Sequence, residues 1–202
     1  AAVLNYFGKY RRRTRDPAAG SLRAAAAEIR TLAAKLGRLE LEGGETRARA
    51  MGLEGQAAAI YCSGVRGLLG PGSGFEKRTG RGAADLVNQA LNYTYGILYG
   101  EIWRALVHAG LDPYSGIIHR SVVNQGGLVF DMIEGFRPTF ADRTVIGMLG
   151  RGLVLEPGRE GFLPTRVRYR LAAGFAKGWH RKIRFRGQMR SPEEILERNA
   201  AS

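Results

Sequence analysis

Apolar positions recur at intervals of three and four through most of this chain, and the strict alternation that marks a half-buried strand is scarce. The Ala- and Leu-rich run SLRAAAAEIRTLAAKL predicts a helix from Pro17 to about Leu39. The first sixteen residues, through KYRRRTRD, read as a basic lead-in ending on Asp16 and Pro17, an N-cap and first-turn pair. Gly43 and Gly44 interrupt the pattern. A second helix is expected from about Glu45 to Leu69, where the small residues of MGLEGQAAAIYCSGV admit a close neighbour. Residues 70–82, GPGSGFEKRTGRG, have the composition of a mobile loop. The longest element is expected over 83–110, with Leu86, Ala90, Tyr93 and Ile97 at helical spacing and Gly110, Asp112 and Pro113 as its stop.

A loop to about Gly127 holds His119, and another helix is expected from Leu128 to about Gly150 with a kink at Pro138. Residues 151–164 read as a turn or short hairpin. A basic stretch over 166–190 leads to Ser191, Pro192, Glu193 and Glu194, a capping box that opens a last helix. The expected fold class is all-α, a multi-helix lobe forming one domain over 1–202.

Charge changes the picture more than composition does. Lys and Arg number 31 against 18 Asp and Glu, a formal net charge of +13 with a pI near 10.5. A polyphosphate backbone is the simplest partner for such a surplus. An anionic membrane surface competes, but no apolar run approaches the roughly 18 to 20 residues of a spanning helix, and no signal-peptide pattern opens the chain. The expectation is an intracellular, soluble protein. A single Cys62 excludes a disulfide framework, and with three His it argues against structural zinc.

Within this basic chain Asp131 and Glu134 stand one helical turn apart in LVFDMIEGF, downstream of His119. On a helix both acids point the same way and can share one cation. An imidazole with carboxylates suits Mg²⁺ or Mn²⁺, with a polyanionic substrate bringing further oxygens. Each residue taken singly has a plainer reading: Glu134 and Asp131 as helix carboxylates, His119 as a hydrogen-bonding loop residue, Glu54 as an exposed helix acid. His108 suits the C-terminal dipole of its helix, and His180 a cationic surface. Tyr93, Tyr95, Tyr99 and Trp103 read as core. Arg78 and Arg81, beside Gly-rich backbone, suit phosphate clamping and equally suit a solvated loop. Arg166, Arg168, Lys177, Arg181, Lys182 and Arg184 of the basic stretch are the further DNA-binding candidates.

The run DLVNQALNYTYGILYGEIWRALVHAGLDPYSGIIH, followed by LVFDMIEGFRP, closely resembles the CRISPR adaptation integrases, the Cas-one family. The Asn-rich helix, the Gly-Leu-Asp-Pro turn, the loop His and the acid segment ending in Phe-Arg-Pro occur there in this order. Gly52, Glu54, Gly55 and Tyr61 match an upstream stretch of the family, and Arg78, Arg81, Asp85 and Asn88 match another. The likeness covers nearly the whole chain, most strongly 51–138. Gly135 departs from it, standing where many members have a second acid.

The resemblance implies a metal set of Glu54, His119 and Glu134, with Asp131 binding directly or through water. It implies a metal-dependent DNA endonuclease and integrase, in which a 3′-hydroxyl of a short fragment attacks a phosphodiester at the edge of a repeat. It also implies two homodimers bridged by a small ferredoxin-like subunit, Cas-two, acting on double-stranded spacer precursor and repeat array in a prokaryotic cytoplasm. The family's N-terminal β domain has no counterpart before residue 17, so the chain is expected to be the helical catalytic lobe. A fusion to a nuclease or reverse transcriptase module would also account for its start. Two other classes stand beside this one: a metal-independent tyrosine recombinase, whose usual His-x-x-Arg arrangement is missing, and a noncatalytic basic helical nucleic-acid-binding module.

Overall fold

A computed structural model describes residues 1–13, 18–39, 44–116, 126–185 and 187–200. The chain packs as two compact units, Ala1–Thr79 and Gly80–Ser202. The first is made of α1 (Ala2–Arg13), α2 (Ala18–Leu36) and α3 (Gly44–Leu69), followed by a 3₁₀ turn at Pro71–Ser73. Helix α1 occupies what the sequence pattern marked only as a basic lead-in. Its Val3, Leu4 and Phe7 fall on one face and are buried, with Ala19, Leu22, Ala26 and Leu32 buried on α2. Three apolar positions ahead of a run of arginines make a short amphipathic signal that the charge overshadows. A Cβ at Gly64 would lie 2.9 Å from both Leu4 Cδ atoms, so the small residues of α3 do admit a close neighbour. Arg11 Nη2 donates to Leu68 O at 2.6 Å, placing a cation on the C-terminal carbonyls of α3. The proposed cap at Asp16 and Pro17 lies outside the described residues.

The second unit is built on α4 (Leu86–His108). Asp85, extended at the N-cap, accepts from Asn88 N, so the helix starts later than periodicity alone suggests. At the other end Gly110 takes φ 75° while its N–H reaches Val107 O and that of Leu111 reaches Leu106 O. This pair of bonds is a Schellman stop, and it needs glycine at the left-handed position. Around α4 lie α5 (Gly127–Phe136), α6 (Arg143–Leu149), α7 (Thr165–Trp179) and α8 (Pro192–Ala200). Leu98, Ile102 and Leu106 of α4 form the core with Val129, Ile133, Phe140, Phe175, Trp179 and Leu196. Each such side chain contributes on the order of 1.5–3 kcal/mol of burial.

The fold is all-α, as the periodicity predicts. Among the described residues the strands are β1 (Ile183–Phe185) and β2 (Gln188–Arg190), an antiparallel pair with Ile183 opposite Arg190. The hairpin thus lies inside the basic stretch, whereas 151–164 carries turns and a 3₁₀ segment at Arg159–Gly161. At Pro138 the expected kink takes a specific form, a π-helical turn over Arg137–Asp142 between α5 and α6. The capping box is made reciprocally: Glu194 N donates to Ser191 Oγ at 3.2 Å, and Ser191 N to Glu194 Oε2 at 2.8 Å.

Candidate active site and nucleic-acid interface

Helix α5 carries both predicted acids of the second unit. Gly127, Val129 and Ile133 are its buried face, which leaves Asp131 half-buried and Glu134 exposed. The Glu134 carboxylate is paired with the Arg137 guanidinium one turn on, with side-chain exposures of 43% and 26%. Arg137 is legible in the sequence only as half of a helix pair, an acid and an arginine at i and i+3. It supplies Glu134 with a cation from the chain itself. Repulsion between the two acids therefore does not by itself call for a metal.

Behind Arg137 the arrangement continues inward. Its guanidinium carbon lies 4.8 Å from the centroid of the Tyr95 ring. The Tyr95 hydroxyl donates to Asp142 Oδ1 at 2.6 Å, and Asp142 is 3% exposed. Tyr95 belongs to the aromatic series read as core. Tyr99 and Trp103 behave the same way, packing on each other and on Phe130 and Tyr114.

The described residues on either side of 117–125 are bonded to α4 and to one another. Leu128 N donates to Pro113 O at 3.0 Å, and Gly126 N to the Tyr99 hydroxyl at 3.3 Å. Asp112 forms an Asx turn, accepting from Tyr114 N at 3.0 Å and from Ser115 Oγ at 2.7 Å. Those two bonds, the backbone one first, lower its carboxyl pKa from the ordinary value. His119 lies outside the described residues.

Glu54 is exposed on α3 of the first unit, with open space beside Gly52 and Gly55. Among the described residues no three His, Cys, Asp or Glu side chains gather into a metal-holding group. What the structure brings together is the pair Asp131 and Glu134 on one helix. These hard oxygen donors fit Mg²⁺ or Mn²⁺ in kind.

The basic candidates sort by exposure. On α7, Val167, Leu171, Phe175 and Trp179 point inward, while Arg166, Arg168, Arg170 and Lys177 are exposed, as are Arg181 and Lys182 beyond it. Arg166 is paired with Glu156, and Arg168 Nη2 donates to Thr165 Oγ1 at 3.1 Å. Arg81 is exposed; Arg78 is half-buried, and its Nη1 donates to Thr79 O. The side chain of Arg184 lies outside the described residues. Asp85 and Asn88 have a structural role at the start of α4.

Helices packed around α4, an acid pair on α5 and outward arginines on α7 make the second unit an all-α lobe with a basic outer face. The family model described as CRISPR associated protein Cas1 matches residues 1–172, and the chain belongs to that family. A CRISPR-associated endonuclease Cas1 from Archaeoglobus fulgidus is 34% identical over 155 residues, 73% of this chain and 45% of that protein. A CRISPR-associated endonuclease Cas1 from Francisella tularensis subsp. novicida is 28% identical over 197 residues, 98% of this chain and 57% of that relative. The chain thus spans about half the length of these curated relatives. Two solved structures share the fold. One is a casposase bound to integration product, with TM-score 0.69 and 19% identity over 86% of this chain and 54% of that one. The other is a partial Cas6-RT-Cas1–Cas2 complex, with TM-score 0.73 and 22% identity over 98% of this chain and 60% of that one. No described helix is long and apolar enough to cross a membrane.

Proposed function

We propose that these residues are the helical catalytic lobe of a CRISPR adaptation integrase, a metal-dependent DNA endonuclease and transesterase that inserts short fragments into a repeat array. The family match over residues 1–172, which spans Glu54, His119, Asp131 and Glu134, carries this reading. In the reaction a fragment's 3′-hydroxyl oxygen forms a new bond to a repeat phosphorus and gives up its proton. The bond from that phosphorus to its former 3′-oxygen breaks, and the leaving oxygen takes a proton. The hydroxyl attacks the phosphorus directly and bonds made equal bonds broken, so neither a covalent enzyme intermediate nor an energy source is required.

Glu54 and Glu134 would each offer a carboxylate oxygen and His119 a neutral imidazole nitrogen, with Asp131 contributing directly or through water. Mg²⁺ or Mn²⁺ so held supplies neutralisation of phosphoryl charge and activation of the attacking hydroxyl. The exposed cations of α7, with Arg78, Arg81, Arg181, Lys182 and Arg184, position double-stranded spacer precursor and repeat through phosphates. Two homodimers bridged by a Cas-two subunit form the working assembly in the cytoplasm of a prokaryotic cell. A relative solved within a Cas6-RT-Cas1–Cas2 complex supports that pairing, and supports a fused partner module as well.

Joining of labelled ends to a repeat substrate, with and without EDTA, tests the reading. Loss of joining in EDTA and in Glu54→Ala, His119→Ala and Glu134→Ala, with DNA binding kept, is the expected result. Joining retained in all three variants refutes the metal assignment. Chelator-resistant joining with a trapped phosphotyrosine would indicate a recombinase, and DNA binding without any joining a noncatalytic module.

A further inference from the structure

Pro138 lacks the N–H that an α-helix would direct at Glu134 O, and its ring crowds that carbonyl. The helix accommodates it with a π turn, seen in the Arg143 N–H reaching back five residues to Pro138 O. That wide turn decides which side chains share a face. In an α-helix Arg137 and Asp142, five residues apart at about 100° each, would diverge by roughly 140°. In a turn closed from i to i+5 they come nearly into line, and here both meet Tyr95. Its ring carries the Arg137 guanidinium and its hydroxyl is fixed on buried Asp142. Arg137 Nε is buried without a hydrogen-bond acceptor, so the Tyr95 ring and the Glu134 carboxylate are the contacts that define where the guanidinium sits.

Resting on the reading of Glu134 as a metal ligand, we propose that Arg137, seated on Tyr95 and anchored through Asp142, is a positioning residue that aims the Glu134 carboxylate. The paired guanidinium orients the carboxylate and also opposes an incoming dication by charge. Its removal thus separates two quantities that ordinary structural damage lowers together: ion affinity rises, and turnover falls because the ligand oxygen is no longer aimed.

The test is Mn²⁺ binding to the DNA-free full chain, followed by the electron paramagnetic resonance signal of the free ion, beside strand transfer at saturating Mn²⁺. In Arg137→Gln, Mn²⁺ should bind several-fold more tightly while strand transfer falls about 10- to 100-fold, the scale of a small misplacement at a reacting centre. Arg137→Lys, which restores charge without the planar stack, should return Mn²⁺ affinity to the parent value with partial recovery of turnover. Tyr95→Phe keeps the ring and loses the anchor, so turnover should fall several-fold at unchanged Mn²⁺ affinity. Weaker Mn²⁺ binding in step with lost turnover in Arg137→Gln, or no change in either, overturns the proposal. If Arg137→Gln does not fold, unchanged turnover in Tyr95→Phe overturns it instead. Glu134→Gln that binds Mn²⁺ like the parent removes the ligand reading itself, a separate failure visible in the same titration.

Discussion

Asp85 holds Asn88 twice: its Oδ1 accepts from the Asn88 backbone N–H at 2.8 Å and its Oδ2 from the side-chain amide at 2.7 Å. One carboxylate thus closes the first turn of α4 and provides a partner for a fully buried amide. Asp85→Ala removes both acceptors and should cost about 1–3 kcal/mol, the sum of a lost cap and a poorly satisfied buried donor. Asp85→Asn, which keeps one acceptor, should cost less. Urea denaturation of both variants measures the difference, and equal stability of the two would deny the amide bond its share.

Gly126 lies where added volume has nowhere to go. A Cβ there would stand 2.9 Å from Trp103 Cζ3 and Val129 Cγ2 and 3.0 Å from the Tyr99 hydroxyl. Gly126→Ala should destabilise the protein by about 1–3 kcal/mol through overpacking and reduce strand transfer, since α5, which carries both acids, begins at the next residue. A melting temperature and a joining rate both equal to the parent's would contradict this.

The outward cations of α7 should show in salt dependence. Replacing Arg170 and Lys177 together by Ala should weaken duplex binding across sequences and reduce the slope of log affinity against log salt by about 0.9 for each phosphate no longer neutralised. Binding measured over a range of KCl concentrations gives the slope directly. An unchanged slope removes α7 from the footprint.

The lowered pKa of Asp112 sets a sign for acid behaviour. The ionised form is favoured in the folded turn, so its contribution is full above the ordinary carboxylate value near 3.8 and is lost as pH falls through the lower folded value. Its causes are the Tyr114 amide and then the Ser115 hydroxyl. The Tyr114 amide resonance should titrate with a midpoint below that of an unperturbed aspartate. In Ser115→Ala the midpoint should move upward but not fully back, because the larger cause remains. A midpoint at or above the ordinary value would exclude the turn as its origin.

Features written in a few adjacent residues are legible in the sequence by themselves. The Ser191 and Glu194 box and the stop at Gly110 are local chemistry, and both formed as the spacing indicates. Helix α1 is hard to read from the sequence, because the arginines that follow Val3, Leu4 and Phe7 outweigh a three-residue apolar face that is buried only in the fold. Pro138 announces a break, but whether the helix bends, stops or widens is not written in its neighbours; here it widens, and Arg137 and Asp142 both meet Tyr95. The Tyr95 to Asp142 bond joins residues 47 positions apart and has no local signature. Of the proposed ligands, Asp131 and Glu134 could be placed together from spacing alone. Glu54 is legible only through family likeness, because on α3 it is exposed, with open space beside Gly52 and Gly55.

The π turn at 137–142 also acts as a phase shift in the rod formed by α5 and α6. Residues ahead of it and residues behind it keep separate angular registers, offset by about one residue, roughly 100° of rotation. Deleting a single residue within the turn would return it to α-helical closure with Val145 and Ile146 still facing the interior they now occupy, and would bring the Pro138 ring back against the Glu134 carbonyl. A one-residue gap that removes Pro138 itself takes away both the crowding and the extra residue, so the buried faces of α5 and α6 should survive it.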